Sequence, residues 1–452
     1  MKKKLALIIL TALSLTLLAA CGGNNNDTTT PPADTNVEAD DTADEPADET
    51  EEEDVAEEAA IPGDVTELTF AMWDEGQMPV FQDILNEFET QNPDITVELQ
   101  LVPWSQYWIN LDAALGAGTA ADVFWMNSFL PRYAEAGLLS SLDEFIARDG
   151  IDMNDYVAST LRLTSHNGTQ YAMPKGLDTV VVVYNREMFE TYGVDTPSEG
   201  WTWDDMISIA EELRANMDAE GSDLFPILME LSPQPSYINF IQQNGGFILS
   251  EDGRTAGFDQ PGTVTAYQNV LDLMDANLMP SATVLADTVA LDLFISQRGA
   301  MLFVGTWNAA TLDSSSIGPD LGTIAMPAQA DGNMSVIAGL GFAVNAFSEH
   351  QDAAWRLASF LSGEDSNRMQ AEAGIDIPAL ISAQHYYHLD HIDTNVIFTV
   401  TETGFSFPMS PTLSEWWPDV NEISAQIFAG IVTPEEGTSR LQGIIQPILD
   451  AQ

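Results

Sequence analysis

The 452-residue sequence is short of cysteine and of positive charge. It has one cysteine, Cys21, and its only lysine after residue 4 is Lys175; the other ten basic residues are arginines. A single cysteine excludes a disulfide within the chain and a thiolate metal cluster. From Cys21 onward, 11 basic residues face 70 acidic ones. Nucleic acid is excluded as a partner, because phosphate contacts need a basic face. No long apolar run follows the first 20 residues, so a second membrane span is excluded. There is no internal repeat, no HExxH motif and no nucleophile elbow. The length itself exceeds one ordinary core and implies two domains or lobes.

What is present begins with "MKKKLALIILTALSLTLLAAC". Three lysines, an apolar run too short for a bilayer span and a small-residue approach to cysteine have the form of a signal peptide. "LLAAC" resembles the bacterial lipobox, which implies cleavage after residue 20 and lipid on Cys21. Two or more acyl chains would hold the protein stably at a membrane. Residues 22–64 carry 16 Asp or Glu and no Lys or Arg. Such a segment cannot bury enough surface to fold, and as a flexible coil it spans roughly 35 Å. Residues 21–64 are therefore expected to be a tether behind a signal peptide of residues 1–20. Its acidic Thr/Pro composition suggests the outer face of the cytoplasmic membrane of a Gram-positive cell, or the periplasm if the cell is Gram-negative. Residues 65–452 keep 11 basic against 54 acidic residues, a lysine-poor balance typical of exported proteins from saline or alkaline habitats. That balance concerns solubility in a medium, not activity.

The remainder alternates strand and helix patterns. "VTELTFAMW", "DITVELQLV" and "ADVFWMN" read as strands, separated by the helical "PVFQDILNEFETQ" and "WSQYWINLDAALGAG". This order implies an α/β lobe with an essentially parallel sheet. "YAMPKGLDTVVVVYN", "AMLFVG" and "VIAGLGFAVNAF" are further strand runs. "TWDDMISIAEELRANMD", with Thr202 as N-cap, and "DAAWRLASFLSGEDSNRMQAEAG" read as helices. So do two C-terminal segments joined at a Thr-Pro turn.

From Glu67 to Leu449, the segments "FQDILNEFETQNPDITVEL", "LGAGTAADVFWMNSFLPRYAEAGLLSSLDEF", "NGTQYAMPKGLDTVVVVYNREMF", "FISQRGAMLFVGTW" and "DAAWRLASFL" resemble, in this order, the extracellular solute-binding proteins of ABC importers. The resemblance is to the carbohydrate-binding family that includes maltose-binding protein. It implies a two-lobe α/β periplasmic-binding-protein fold of type II character, with the ligand cleft between the lobes. The N-terminal lobe would comprise residues 65–176 and about 338–385, the C-terminal lobe 177–337 and about 386–452. It also implies a monomer that hands carbohydrate to permease subunits and needs no cofactor, no metal and no catalytic group.

Three tryptophans sit where apolar strands end: Trp73, Trp125 in "DVFWMNS" and Trp307 in "FVGTW". Sugars have apolar C–H faces and hydroxyl edges, so a sugar cleft combines aromatic platforms with hydrogen-bonding side chains. Open α/β sheets bind ligands at the carboxyl ends of their strands. The resemblance places Trp125, Trp307 and Trp417 (in preference to its neighbour Trp416) on sugar-contacting positions, and Asp178 on an acidic residue that binds hydroxyls. Asn127 and Ser128 stand where that relative has a charged pair, which argues for a different ligand. Trp73 is cleft wall or packing, with Glu75 and Gln77 as polar contacts beside it, and Trp104 and Tyr107 lie near the rim. Tyr237 falls in a region that supplies an aromatic platform. Trp203 and Trp355 lie in helical patterns and are expected in the core. Lys175 is a ligand contact, a partner of Asp178 or a surface residue. His385, His388 and His391 recur every three residues, a spacing that fans around a helix rather than converging on zinc. Two other ligands or roles stay open: a cation such as a polyamine or a metal, and a glycan-acting enzyme, which needs only two placed carboxylates. A surface scaffold would have no use for aromatic platforms at strand ends.

Overall fold

The computed structural model describes residues 65–452. The signal-peptide, Cys21 and tether assignments lie outside the described residues. The strands in chain order are β1 (Thr66–Met72), β2 (Ile95–Leu101), β3 (Val123–Met126), β4 (Ser165–His166), β5 (Thr169–Gln170), β6 (Ala172–Asp178) and β7 (Val180–Asn185). Then follow β8 (Phe225–Met229), β9 (Gly299–Gly305), β10 (Leu321–Ile324), β11 (Val336–Val344), β12 (Ile377–Pro378) and β13 (Phe405–Ser406).

Two sheets organise the chain. The larger runs β12-β6-β11-β3-β1-β2, with β13 joined to β11; the smaller runs β10-β7-β9-β8. The expected parallel core is there in β2-β1-β3. The rest of the larger sheet is mixed: β11 runs antiparallel to β3, β6 antiparallel to β11 and β12, and only the short β13 lies parallel to β11. The reason is the chain path. β6 and β7 are separated only by Thr179 but belong to different sheets, so the chain leaves the larger sheet there and returns at β11. A strand that leads away and one that leads back must oppose each other.

Local chemistry explains the helices that cover these sheets. Helix Met78–Gln91 buries Phe81, Ile84, Leu85 and Phe88, one face at helical spacing. Helix Trp104–Ala117 stops at Gly118, whose φ of 71° is the left-handed conformation that glycine adopts without cost. Helix Trp203–Ala219 starts with a complete capping box between Thr202 and Asp205. One core gathers β1, β3 and helix Gln351–Leu361, including Trp355, around the larger sheet. A second gathers the smaller sheet with helices Leu413–Phe428 and Pro434–Leu449. The molecule is a two-lobe α/β fold. No helix among the described residues is long and apolar enough to cross a membrane.

Candidate functional site

A cavity of about 770 Å³ is lined by residues from both sheets and from the strand connections between them. Most of its walls are strand ends. Trp73 and Asp74 follow β1, Asn127 and Ser128 follow β3, Lys175 and Asp178 belong to β6, and Trp307 follows β9. Helix Leu413–Phe428 adds Trp417, and Glu230 to Pro235, after β8, add a polar and proline-rich edge.

The aromatic groups are arranged differently on the two sides. Trp73 is half-buried and meets Trp125 and Tyr107 edge to face, at 4.9 and 4.8 Å between ring centres. Trp104 is 52% exposed at the rim and packs 5.2 Å from Trp73. Trp125 is completely buried, with Phe81 at 5.4 Å and the Lys175 ammonium 4.9 Å from its ring centre. In this conformation its ring is covered, so it supports the wall rather than forming a stacking platform. Trp307 and Trp417 are half-buried and line the cavity, whereas Trp416 is fully buried. Trp417 rests against Phe407 at 5.2 Å. The glycine of "FVGTW" has a direct role here: any Cβ on Gly305 would occupy the space of the Trp307 six-membered ring. The indole folds back over its own strand end, an approach that only glycine permits.

The polar groups form a floor and a rim. Asp74 accepts from the Gly76 amide at 2.8 Å and from Gln77 Nε2 at 3.2 Å. Asn127 Oδ1 accepts from the Phe129 amide at 3.0 Å, which fixes the turn after β3. Glu75 is exposed at the rim, and Ser128 is buried in the wall. Among the described residues, Gln77 Oε1, Trp125 Nε1 and Gln234 Nε2 are buried with no protein partner, and all three residues line the cavity.

Lys175 is neither a surface residue nor the partner of Asp178. It is 1% exposed and forms an ion pair with Asp376, itself buried. Gly176 makes room for that carboxylate, since a Cβ there would overlap it. Asp178 is half-buried, and its carboxyl is pushed up to about 7 by burial and by the negative charge of Asp376, against the pull of Lys175. Burial also raises Glu230 and Asp376.

Tyr237 is a correction. It is fully buried in the core beside the smaller sheet, with ring centres 5.0 Å from Tyr267 and 5.5 Å from Phe428, and does not line the cavity. It opens helix Tyr237–Gln243 facing inward, and the stretch just before it reaches the cavity instead. His385, His388 and His391 are exposed, and no group of three metal-ligating side chains converges among the described residues. Sequence reasoning missed Glu230, Phe407, Asn421 and Asp376. Glu230 directly follows the apolar β8 and could have been found by the strand-end signal that found the tryptophans; Phe407, Asn421 and Asp376 carry no such signal.

A two-lobe α/β fold with a cavity between strand ends is the architecture of a binding protein, and sequence comparison agrees. The chain matches the bacterial extracellular solute-binding protein family over residues 73–368 and belongs to that family. It is 25% identical over 318 residues to a putative binding protein of Brucella abortus, covering 68% of this chain and 74% of that one. It is 22% identical over 363 residues to the galactooligosaccharide-binding protein of Bacillus subtilis, covering 78% and 83%. In structure it is similar to an ABC substrate-binding protein of Listeria monocytogenes solved in complex with cycloalternan, with a TM-score of 0.80 and 24% identity over 86% of this chain and all of that one. The GacH receptor of Streptomyces glaucescens, solved unliganded and with acarbose, has a TM-score of 0.76 and 20% identity, covering 85% and 98%.

Proposed function

We propose that this protein captures an extracellular carbohydrate, an oligosaccharide, in the cleft between its lobes and delivers it to the permease of an ABC importer. The observation that carries this reading is the aromatic lining. Half-buried indoles from both sides, Trp73, Trp307 and Trp417, surround a cavity whose polar side chains include carboxylates, amides, the hydroxyls of Ser128 and Ser232 and the Lys175 ammonium. Flat apolar surfaces beside hydrogen-bond acceptors match the two kinds of surface on a sugar. The ligands in the names of the Bacillus and Listeria relatives support the same class.

The working unit is a monomer with lobes of residues 65–176 with about 338–385, and 177–337 with about 386–452. Ligand contacts made by both lobes favour a closed state, and the permease recognises that state. No covalent chemistry is involved. Cys21 carries the lipid that holds the protein at the outer face of the cytoplasmic membrane, with residues 22–64 as the tether.

The test is a thermal-shift screen of residues 22–452 against oligosaccharides, polyamines and metal salts. Ligand at a hundred times its dissociation constant adds about 2.7 kcal/mol to stability. Stabilisation by an oligosaccharide is expected. A polyamine is the second reading, favoured by Asp74, Glu75, Asp178 and Glu230 at one cavity, and a response to polyamines alone would replace the carbohydrate assignment.

A further inference from the structure

The floor of the cavity is built on an irregularity in β6. On β11, Leu340 pairs with Gly176 and the next residue, Gly341, pairs with Pro174, so Lys175 is left without a partner. This is a β-bulge, one extra residue inserted in one strand, and bulges re-aim side chains beside sites. Side chains three apart on a regular strand point to opposite faces. With Lys175 as the extra residue, Lys175 and Asp178 both line the cavity, while Leu177 faces an apolar core. Without it, one of the two would be turned away.

Lys175 and Asp178 are then joined by groups from distant parts of the chain. Asp376, just before β12, pairs with Lys175, and the space for its carboxylate exists because residue 176 is glycine. Asp74, after β1, lines the same cavity, and Tyr387 follows the turn Ile381–Tyr386 with its hydroxyl unpartnered among the described residues. The charged groups acting on Asp178 are thus Lys175 from its own strand and Asp376 and Asp74 from two other elements, and the Tyr387 hydroxyl feels the charge of Asp178 and Asp376 in turn. The Asp376 carboxylate that pairs with the Lys175 ammonium sits over Gly176, two residues from Asp178 on the same face of β6. The Lys175 ammonium also lies 4.9 Å from the Trp125 ring centre and 5.6 Å from that of Phe81, a cation–π arrangement that holds the aromatic wall from behind.

We propose that Lys175 and Asp376 are positioning residues, which set the charge of Asp178 at the cleft floor before any ligand arrives. Asp178 is the group that meets the ligand, a role that rests on the carbohydrate reading above. The pair acts through it. A carboxyl that keeps its proton can donate as well as accept a hydrogen bond, whereas a carboxylate only accepts. Ligand capture therefore changes character as Asp178 titrates, and the pH at which it does so is set by Asp376 and Lys175 together.

The lone lysine makes this directly measurable. In the full chain carrying Lys2→Arg, Lys3→Arg and Lys4→Arg, Lys175 is the only lysine, and isotope-labelled lysine gives one side-chain NMR signal. No ligand is added. That signal is expected to move with pH in a step near neutrality, to lose this step in Asp178→Asn, and to show it at least one pH unit lower in Asp376→Asn. The last shift follows because removing the Asp376 charge eases ionisation of Asp178. A purely structural role would lower stability and leave the midpoint in place. A signal unaffected by Asp178→Asn, or a midpoint unmoved in Asp376→Asn, overturns the proposal. If the titration behaves as expected but no saccharide binds in the screen, the ligand class falls and the coupling of the floor stands.

Discussion

Gly305 and Trp307 show how much of the site depends on single atoms. The indole covers the α-carbon of Gly305, and the space a methyl group would need is already taken by the ring. Gly305→Ala must therefore displace Trp307 while leaving the strand itself intact. Saccharide affinity is expected to fall at least tenfold in titration calorimetry, with the far-ultraviolet circular dichroism unchanged. Asp178 gives a second prediction. Its carboxyl is raised from the ordinary 3.8 to about 7, so the folded state binds its proton more tightly than the unfolded state does. The stability this contributes is complete below the ordinary value and is lost as pH rises through about 7. Asp178→Asn should flatten the dependence of melting temperature on pH between about 4 and 7 and raise it at about pH 8. A variant less stable than the parent at that pH would contradict this. The tryptophans were legible in the sequence as strand-end residues, but their exposure was not. Trp125 and Trp307 follow the same kind of strand run, and only packing from Phe81, Trp73 and Lys175 covers the first.

Among the elements, those with local signals were readable. Helix Met78–Gln91 has its apolar face at helical spacing, and helix Trp203–Ala219 has its capping box, because both signals lie within a few residues of chain. Thr202→Ala removes that box, in which the hydroxyl accepts from the Asp205 amide at 3.2 Å. The expected cost is about 1 kcal/mol in denaturant unfolding, with saccharide affinity unchanged. Strand direction was not readable in the same way. β6 and β11 pair antiparallel although more than 150 residues separate them, and nothing in either strand's own alternation specifies which neighbour it will meet. The bulge at Lys175 and its pairing with Asp376 are hidden for the same reason. Both are properties of residues brought together only by the completed sheet.

At the scale of the whole molecule, residues 65–452 carry 54 acidic and 11 basic residues. Self-repulsion of this size opposes the compact state and is screened by salt. The melting temperature is expected to rise steadily from low ionic strength to about 1 M sodium chloride; a salt-independent value would mean that this repulsion does not limit stability. The cavity follows from the chain passing from the larger sheet to the smaller at β6–β7, back at β11, and again to the smaller sheet's core with the C-terminal helices. The proposed carbohydrate cleft depends on the half-buried indoles that those passages bring together. The most direct test is calorimetric titration of the oligosaccharide that best stabilises the protein, into the parent chain and into Trp307→Ala. One-to-one binding that weakens by about 2 kcal/mol, roughly thirtyfold, in the variant is the predicted result. Equal affinity in the two proteins would place the ligand elsewhere and contradict the account.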